Sequence, residues 1–227
     1  MEIAGSVALV TGANRGIGRA LTRALIDNGA AKVYAGARDP ASVTDADVTP
    51  MRLDVTKPDE VASAAATADD VTIVINNAGA GGTGTPLLDG SFDSAREAME
   101  VNYLGTWAVS RAFAPVLARN GGGALVNVLS LASWVGRPTY PAYAASKAAG
   151  WSLTNSFRDG LRDQGTLVIA VHAGFVDTEF SAWTDAPKIG ADDVAGQVMQ
   201  ALANGTPEVL ADEGTRKVKA GLSRAIQ

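Results

Sequence analysis

The stretch YPAYAASK, residues 140–147, sets two phenols and one amine in a run that is otherwise mostly alanine. Alanine is the strongest helix former and proline is tolerated in a first turn, so the spacing predicts a helix running on from Pro141. On that helix Tyr143 and Lys147, four apart, lie one turn apart on the same face. Tyr140 and Lys147, seven apart, share that face as well, which leaves two candidate partners for one lysine. A phenol titrates near ~10 in water, so at neutral pH it holds a proton that it can donate, and a nearby ammonium favours its ionised form. Such a pair is equipped for acid–base work at an oxygen atom.

A second group of residues could hold phosphate. In TGANRGIGRALTRALIDNG, Gly12, Gly16 and Gly18 stand at a turn between an apolar run and an amphipathic helix. Glycines let backbone approach a pyrophosphate, and the helix N-terminus adds free N–H donors and a favourable dipole. An acidic residue at the end of the second strand would read a free ribose, but that end is Gly36-Ala37 followed by Arg38. The planar fork of Arg38 suits a 2′-phosphate, and Arg15 inside the glycine turn supplies a second positive charge. NADP is therefore expected over NAD, with Asp39 as the alternative reader of a ribose if the strand ends later.

The elements that must position these groups are legible as apolar runs of strand length: SVALVTG, KVYAGA, VTIVINNAG, GALVNVLS and TLVIAVHAG, with MRLDV and EVLAD as weaker ones. Continuous hydrophobic strands separated by helix-length stretches indicate a parallel sheet covered on both faces, a doubly wound α/β Rossmann fold of about seven strands. DPASVTDADVTP reads as a loop between the second and third strands, too short for a full crossover helix. The glycines of 79–84 follow the fourth strand, where ligand crevices of open α/β sheets lie, and read as a site wall or a plain surface loop.

The totals fit this architecture. With 227 residues, 47% hydrophobic and 19% charged, the chain can bury a core, which excludes a disordered tail or a coiled coil. It is read as one domain over 1–227. The absence of cysteine excludes a disulfide framework or thiolate metal site, and a single histidine cannot build a metal site, so no metal is expected. That histidine, His172, reads as a satisfied strand-end residue. The net charge of −5 gives no footprint for nucleic acid. No apolar run approaches ~18 residues and MEIAGSVALV has no basic leader, so a soluble, cytoplasmic protein is the expectation. TRKVKAGLSRAIQ reads as a solvated terminal helix.

In chain order, TGANRGIG, NNAG at 76–79 and YAASK at 143–147 resemble the short-chain dehydrogenases/reductases, and the resemblance spans nearly the whole chain. It implies that Gly12, Asn14, Arg15, Gly16, Ile17 and Gly18 form a cofactor turn and that Asn77, Ala78 and Gly79 line the cofactor after the fourth strand. Asp54 in LDVT, or its neighbour Val55, is implied to contact adenine. The serine that pairs with the catalytic tyrosine is implied to end the fifth strand thirteen positions before it, which selects Ser130, with Ser133 as second choice, and makes Tyr143 the acid rather than Tyr140. Asn102 in MEVNYLG completes a tetrad, and Lys147 also holds the nicotinamide ribose. Gly174, Val176 and Thr178 are implied to meet the nicotinamide carboxamide, although Ala173 stands where the family often has proline.

The implied activity is hydride transfer between NADPH and a carbonyl or alcohol substrate, in the manner of a carbonyl reductase. Tyr143 protonates the oxygen, Ser130 hydrogen-bonds it, and Asn102 positions a water in the proton relay. Gly82, Thr83, Trp134, Tyr140, Phe175, Phe180 and Trp183 are candidate pocket residues, a set that suits an apolar or ring-bearing compound. The covering segment from Thr178 to Ile189 is short, against deep enclosure of a large ligand. A homodimer, or a homotetramer, is implied through helices near 100–119 and 141–164. The competing class is a non-catalytic NADP(H)-binding regulator or redox sensor, which has no need of Ser130 or Tyr143. An epimerase or dehydratase would need a larger substrate domain.

Overall fold

The computed structural model describes residues 1–81 and 86–222. Seven strands form one parallel sheet: β1 (Val7–Thr11), β2 (Lys32–Ala37), β3 (Thr49–Arg52), β4 (Ile73–Asn76), β5 (Ala124–Val128), β6 (Leu167–His172) and β7 (Glu208–Leu210). Their spatial order is β3-β2-β1-β4-β5-β6-β7, the doubly wound arrangement expected from the sequence. The helices between them are α1 (Gly16–Asp27), α2 (Pro58–Thr67), α3 (Phe92–Met99), α4 (Thr106–Arg119), α5 (Pro141–Gly160) and α6 (Ala191–Asn204), and α7 (Glu213–Gly221) follows β7.

The period of two along each strand builds two cores. Ala8, Val10, Ile73, Ile75 and Val126 pack with Leu21 and Leu25 of α1 and Val194, Val198 and Leu202 of α6. Leu9, Val74 and Leu125 point the other way, onto Val61 of α2 and Val109, Phe113 and Leu117 of α4. Both faces are covered, so the strands read as unbroken apolar runs. Each large side chain fully buried here contributes about 1.5–3 kcal/mol.

Two boundaries differ from the sequence reading. β3 begins at Thr49, inside the segment read as loop, and ends before Leu53, because the backbone pairing with Tyr34 through Ala37 sets its register rather than the apolar run. The rest of that loop holds only a short 3₁₀ turn, Pro40–Ser42. α5 starts at Pro141, as the alanine-rich run predicts. No helix is long and apolar enough to cross a membrane among the described residues.

After β3 the chain crosses to the opposite side of β1 and enters β4. The loops leaving β1 and β4 therefore diverge, and a crevice opens at the carboxyl ends of the strands. α3 runs through a π turn, Glu100–Gly105, into α4. Such turns displace one residue from the helical register and often serve sites. Here the displaced segment carries Asn102, 2% exposed, toward the crevice wall.

Candidate active site

One cleft of about 1560 Å³ runs along the carboxyl ends of the strands. A single drug-sized ligand takes roughly 300–1,000 Å³, so this cleft has room for a dinucleotide and a second small molecule. Its floor is the turn after β1. Gly12 has φ +64°, and a Cβ there would stand 3.0 Å from Ala78 Cα. A Cβ at Gly18 would stand 2.1 Å from the Gly12 carbonyl oxygen, so only glycine lets α1 fold down onto the turn. Gly18 itself is behind the cleft wall; it shapes the cradle, whereas Gly12, Asn14, Arg15, Gly16 and Ile17 line it.

The open end of α1 is suited to an anion. Its N-cap, Arg15, makes no side-chain capping bond and its first turn has no acidic residue, so the helix N–H groups and dipole keep their positive character. Thr11, which the sequence reading did not single out, ties the two central loops together. Its hydroxyl oxygen accepts from the N–H groups of Asn77 and Ala78 at 3.0 Å each, while Asn77 Nδ2 donates to the carbonyls of Thr11 (2.9 Å) and Gly12 (3.1 Å). Nothing but position in the glycine turn could have marked Thr11.

At the end of the cleft beside β2 and β3, Arg38, Asp39, Ser42, Asp54 and Val55 form the lining. The Asp39 carboxylate is engaged as the cap of the 3₁₀ turn, accepting from Ala41 N–H at 3.0 Å. Arg38 makes no ion pair among the described residues, whereas Arg15 pairs with Glu179 at 2.8 Å across the mouth, both well exposed. Burial raises the Asp54 carboxyl, but bonds from the Thr56 N–H and hydroxyl, with Arg38 and Lys57 nearby, hold it below its usual range. These residues fit a dinucleotide with a charged adenosine end: an uncapped helix start for the pyrophosphate, and a free guanidinium where a carboxylate would serve a ribose.

The middle of the cleft brings Ser130, Tyr143 and Lys147 together. Ser130 follows β5, and its Oγ accepts from Ala132 N–H at 3.1 Å and donates to Ala173 O at 3.3 Å, a long bond that is easily exchanged for a ligand. Burial pushes the Tyr143 hydroxyl up to about 12; a bond with Ser130 opposes this, and the Tyr140 phenol adds to the rise. Lys147 is buried, and desolvation lowers its ammonium to about 8. Its Nζ donates to Val128 O at 2.9 Å and lies 5.7 Å from the centre of the Tyr143 ring. The sequence reading had the ammonium favouring ionised tyrosine. Burial acts in the opposite direction, and at neutral pH the phenol stays protonated on either count.

Asn102 sits behind this group as a clamp. Its Oδ1 accepts from Ala80 N–H (2.8 Å), and Nδ2 donates to Ala80 O and Ser146 Oγ, both 2.9 Å. Both amide protons are thereby committed to the loop after β4 and to α5. The side chain thus ties the loop after β4 to α5, the helix that carries Lys147.

The far wall is aromatic. Phe175 meets Trp183 edge-on at 5.6 Å, Phe180 lies 6.0 Å from Tyr143, and Tyr140 packs edge-on to Tyr143 at 6.4 Å. The segment carrying Phe180 and Trp183 is stapled at its base, where Asp177 N–H donates to Ile189 O and Ile189 N–H to Phe175 O. Gly174, Val176 and Thr178 line the cleft beside it. Trp134, expected in the pocket, is placed elsewhere. It stacks on His172 at 3.9 Å and meets Trp151 edge-on, because the 3₁₀ turn Leu131–Ser133 carries it behind Ser130. Ser133 is buried away from the cleft on the same turn. Gly82 and Thr83 lie outside the described residues.

Asp212 is a cleft residue that no local pattern announced. Its Oδ2 accepts from Gly174 N–H and from the Thr215 hydroxyl, both at 2.7 Å, and its Oδ1 accepts from Thr215 N–H at 2.9 Å. It caps α7 and anchors the loop where Ala173 replaces the proline. No three His, Asp or Glu side chains converge to hold a metal ion among the described residues.

Residues 6–188 match the protein family described as short chain dehydrogenase. The chain belongs to this family. A 1-deoxy-11-beta-hydroxypentalenate dehydrogenase from Streptomyces exfoliatus is 36% identical over 225 residues, covering 90% of this chain and 82% of the relative. The crystal structure of a short chain dehydrogenase from Burkholderia cenocepacia in complex with NADP superposes with a TM-score of 0.94 at 41% identity, covering 98% of this chain and 94% of that one. A short chain dehydrogenase/reductase from Burkholderia phymatum in complex with NAD superposes with a TM-score of 0.87 at 26% identity, covering 96% and 93%. As a short-chain dehydrogenase the protein is an oxidoreductase with a nicotinamide-cofactor fold.

Proposed function

We propose that this short-chain dehydrogenase is an NADP(H)-dependent reductase of an apolar, ring-bearing carbonyl compound, with Tyr143, Ser130, Lys147 and Asn102 as its working residues. The observation that carries this reading is the convergence of Tyr143, Ser130 and a buried Lys147 at the centre of the cleft, beside an aromatic wall, where burial favours the protonated phenol. Gly12, Asn14, Arg15, Gly16 and Ile17 would hold the pyrophosphate, Arg38 the 2′-phosphate, Asp54 and Val55 the adenine, and Asn77, Ala78, Gly79, Gly174, Val176 and Thr178 the nicotinamide half. When bound, NADPH supplies the hydride.

The protein's own work is proton transfer and orientation. Tyr143 donates its proton to the substrate oxygen, and Ser130 turns its hydroxyl from Ala173 to hydrogen-bond the same atom. Lys147, charged at neutral pH, steadies the tyrosinate that this leaves, and Asn102 holds the walls that position it. The aromatic groups of Phe175, Phe180, Trp183 and Tyr140 exclude water and favour a flat apolar substrate. Leu104 and Trp107, 42% and 43% exposed on the π turn and α4, support pairing with a second copy, which sedimentation at micromolar concentration would measure.

The deciding experiment follows NADPH absorbance across aldehydes, diketones, cyclic ketones and quinones, with NADH and Tyr143→Phe in parallel. Turnover with NADPH that drops about 10²- to 10⁴-fold in the variant, with NADPH binding retained, is the expected result. Undiminished turnover in Tyr143→Phe overturns the assignment.

A further inference from the structure

His172 is the only histidine of the chain, and the chemistry above does not use it. It ends β6, is 0% exposed, and points its Nδ1 at the carbonyl oxygen of Ser130, 3.0 Å away. A carbonyl only accepts, so the ring carries its proton on Nδ1 and leaves Nε2 bare. Nε2 has no hydrogen-bond partner among the described residues, and the Glu208 carboxylate on β7 is 3.9 Å away and already accepts from Lys219 at 2.7 Å. The ring is held from above by Trp134, stacked at 3.9 Å, which in turn lies under Lys219 and against Trp151.

The next residue, Ala173, accepts the Ser130 hydroxyl at 3.3 Å, and Leu131 N–H donates to the same Ala173 carbonyl at 2.8 Å. The end of β6 thus grips Ser130 at two points, its carbonyl through His172 and its hydroxyl through Ala173. The carbonyl also accepts Ser133 N–H at 3.0 Å, but that donor belongs to the same short turn and moves with it. The imidazole, fully buried in the core, ties the turn to the sheet by a bond shorter than that of the Ser130 hydroxyl.

We propose that His172 is a positioning residue for Ser130: its Nδ1–H, anchored by the Trp134 stack, fixes the backbone from which the Ser130 hydroxyl enters the cleft. The proposal rests on the reductase reading for its kinetic consequence, but not for the bond itself. The ring is kept neutral, because burial lowers it to about 4 against the opposing influence of the Ser130 carbonyl and of Glu208 on β7, while Lys219 and Lys147 add smaller contributions in the same direction as burial. It therefore holds the same bond throughout the working pH range.

Two measurements test this. With one histidine in the chain, ¹⁵N NMR of the intact protein reads its ring directly. The expected spectrum shows a protonated Nδ1 and a bare Nε2, unchanged from pH 5.5 to 8; a protonated Nε2, or a titration near ~6.5, overturns the proposal. The second compares His172→Asn with His172→Gln. The shorter amide places an N–H near the position of Nδ1 and the longer one near Nε2. His172→Asn is expected to keep kcat within about threefold, while His172→Gln loses about tenfold to a hundredfold in kcat with the KM for NADPH unchanged, the size of effect that misplacement of a reacting group produces. Equal kcat in the two variants overturns it. Tyr143→Phe, run alongside, reports on the reductase reading: if that variant keeps full turnover the reading fails, and the NMR result alone then judges the His172 bond.

Discussion

Replacing Lys147 with methionine should make the ligand-free protein respond differently to pH, and the size of the response follows from the burial of the ammonium. Lys147 is 6% exposed, donates a single bond to the protein, to Val128 O, and titrates at about 8 instead of near 10.5. A lysine whose folded value is lowered binds fewer protons in the folded state than in the unfolded one between those two values. Stability therefore rises as pH increases from about 8 to 10.5. At pH 7 the buried charge costs on the order of 3 kcal/mol relative to the unfolded chain, and by pH 10 this falls below about 1 kcal/mol. Lys147→Met removes that dependence. It also strips Val128 O of its donor, at about 1–3 kcal/mol, but this cost does not vary with pH. Urea unfolding of both proteins at several pH values from 7 to 10 isolates the effect, because every other titration cancels in the difference. The variant should gain on the wild type by about 2–3 kcal/mol at pH 7 compared with pH 10, while losing turnover. A difference that stays flat across this range would refute the claim that Lys147 bears an uncompensated buried charge.

Arg38→Ala should raise the KM for NADPH about tenfold to a hundredfold and leave that for NADH nearly unchanged, since charge-assisted bonds to phosphate are worth about 1.5–3 kcal/mol; initial rates with the two cofactors check this. Asn102→Ala removes both bonds to Ala80 and the one to Ser146. The result expected in urea unfolding is a loss of about 2–4 kcal/mol, together with weaker cofactor binding as the loop after β4 loosens. Asp212→Ala frees Gly174 N–H and uncaps α7. NADPH affinity measured by fluorescence titration should fall about tenfold, with a stability loss of about 1–2 kcal/mol from the missing cap.

The glycine turn and the tyrosine–lysine pair were legible because each lies within one short segment and depends on a backbone pattern. Glycines spaced at a strand-to-helix turn, and a tyrosine and lysine one helical turn apart, declare their geometry locally, since a helix or turn fixes where its own residues point. The β3 boundary was less legible because Pro50, which strands disfavour, and Thr49 beside it join the sheet through pairing with β2. Trp134 was assigned to the pocket because aromatic residues near a reactive serine often line one. The 3₁₀ turn after β5 rotates it onto His172 instead.

By itself, the sequence pointed to a parallel α/β sheet, a glycine turn opening a helix, an arginine at the end of β2 and the Ser130, Tyr143 and Lys147 set. The sheet, the turn and the tyrosine–lysine spacing follow from periodicity and from motifs whose parts are neighbours along the chain, whereas Ser130 is implied by the family resemblance. Tertiary structure alone decided what those groups become: Tyr143 pushed up and Lys147 pushed down by burial, Asn102 committed as a clamp, Asp212 brought from after β7 to hold Gly174, and His172 set behind Ser130. Each of these depends on contacts between distant segments and on the water those contacts exclude. Spacing along the chain encodes neither.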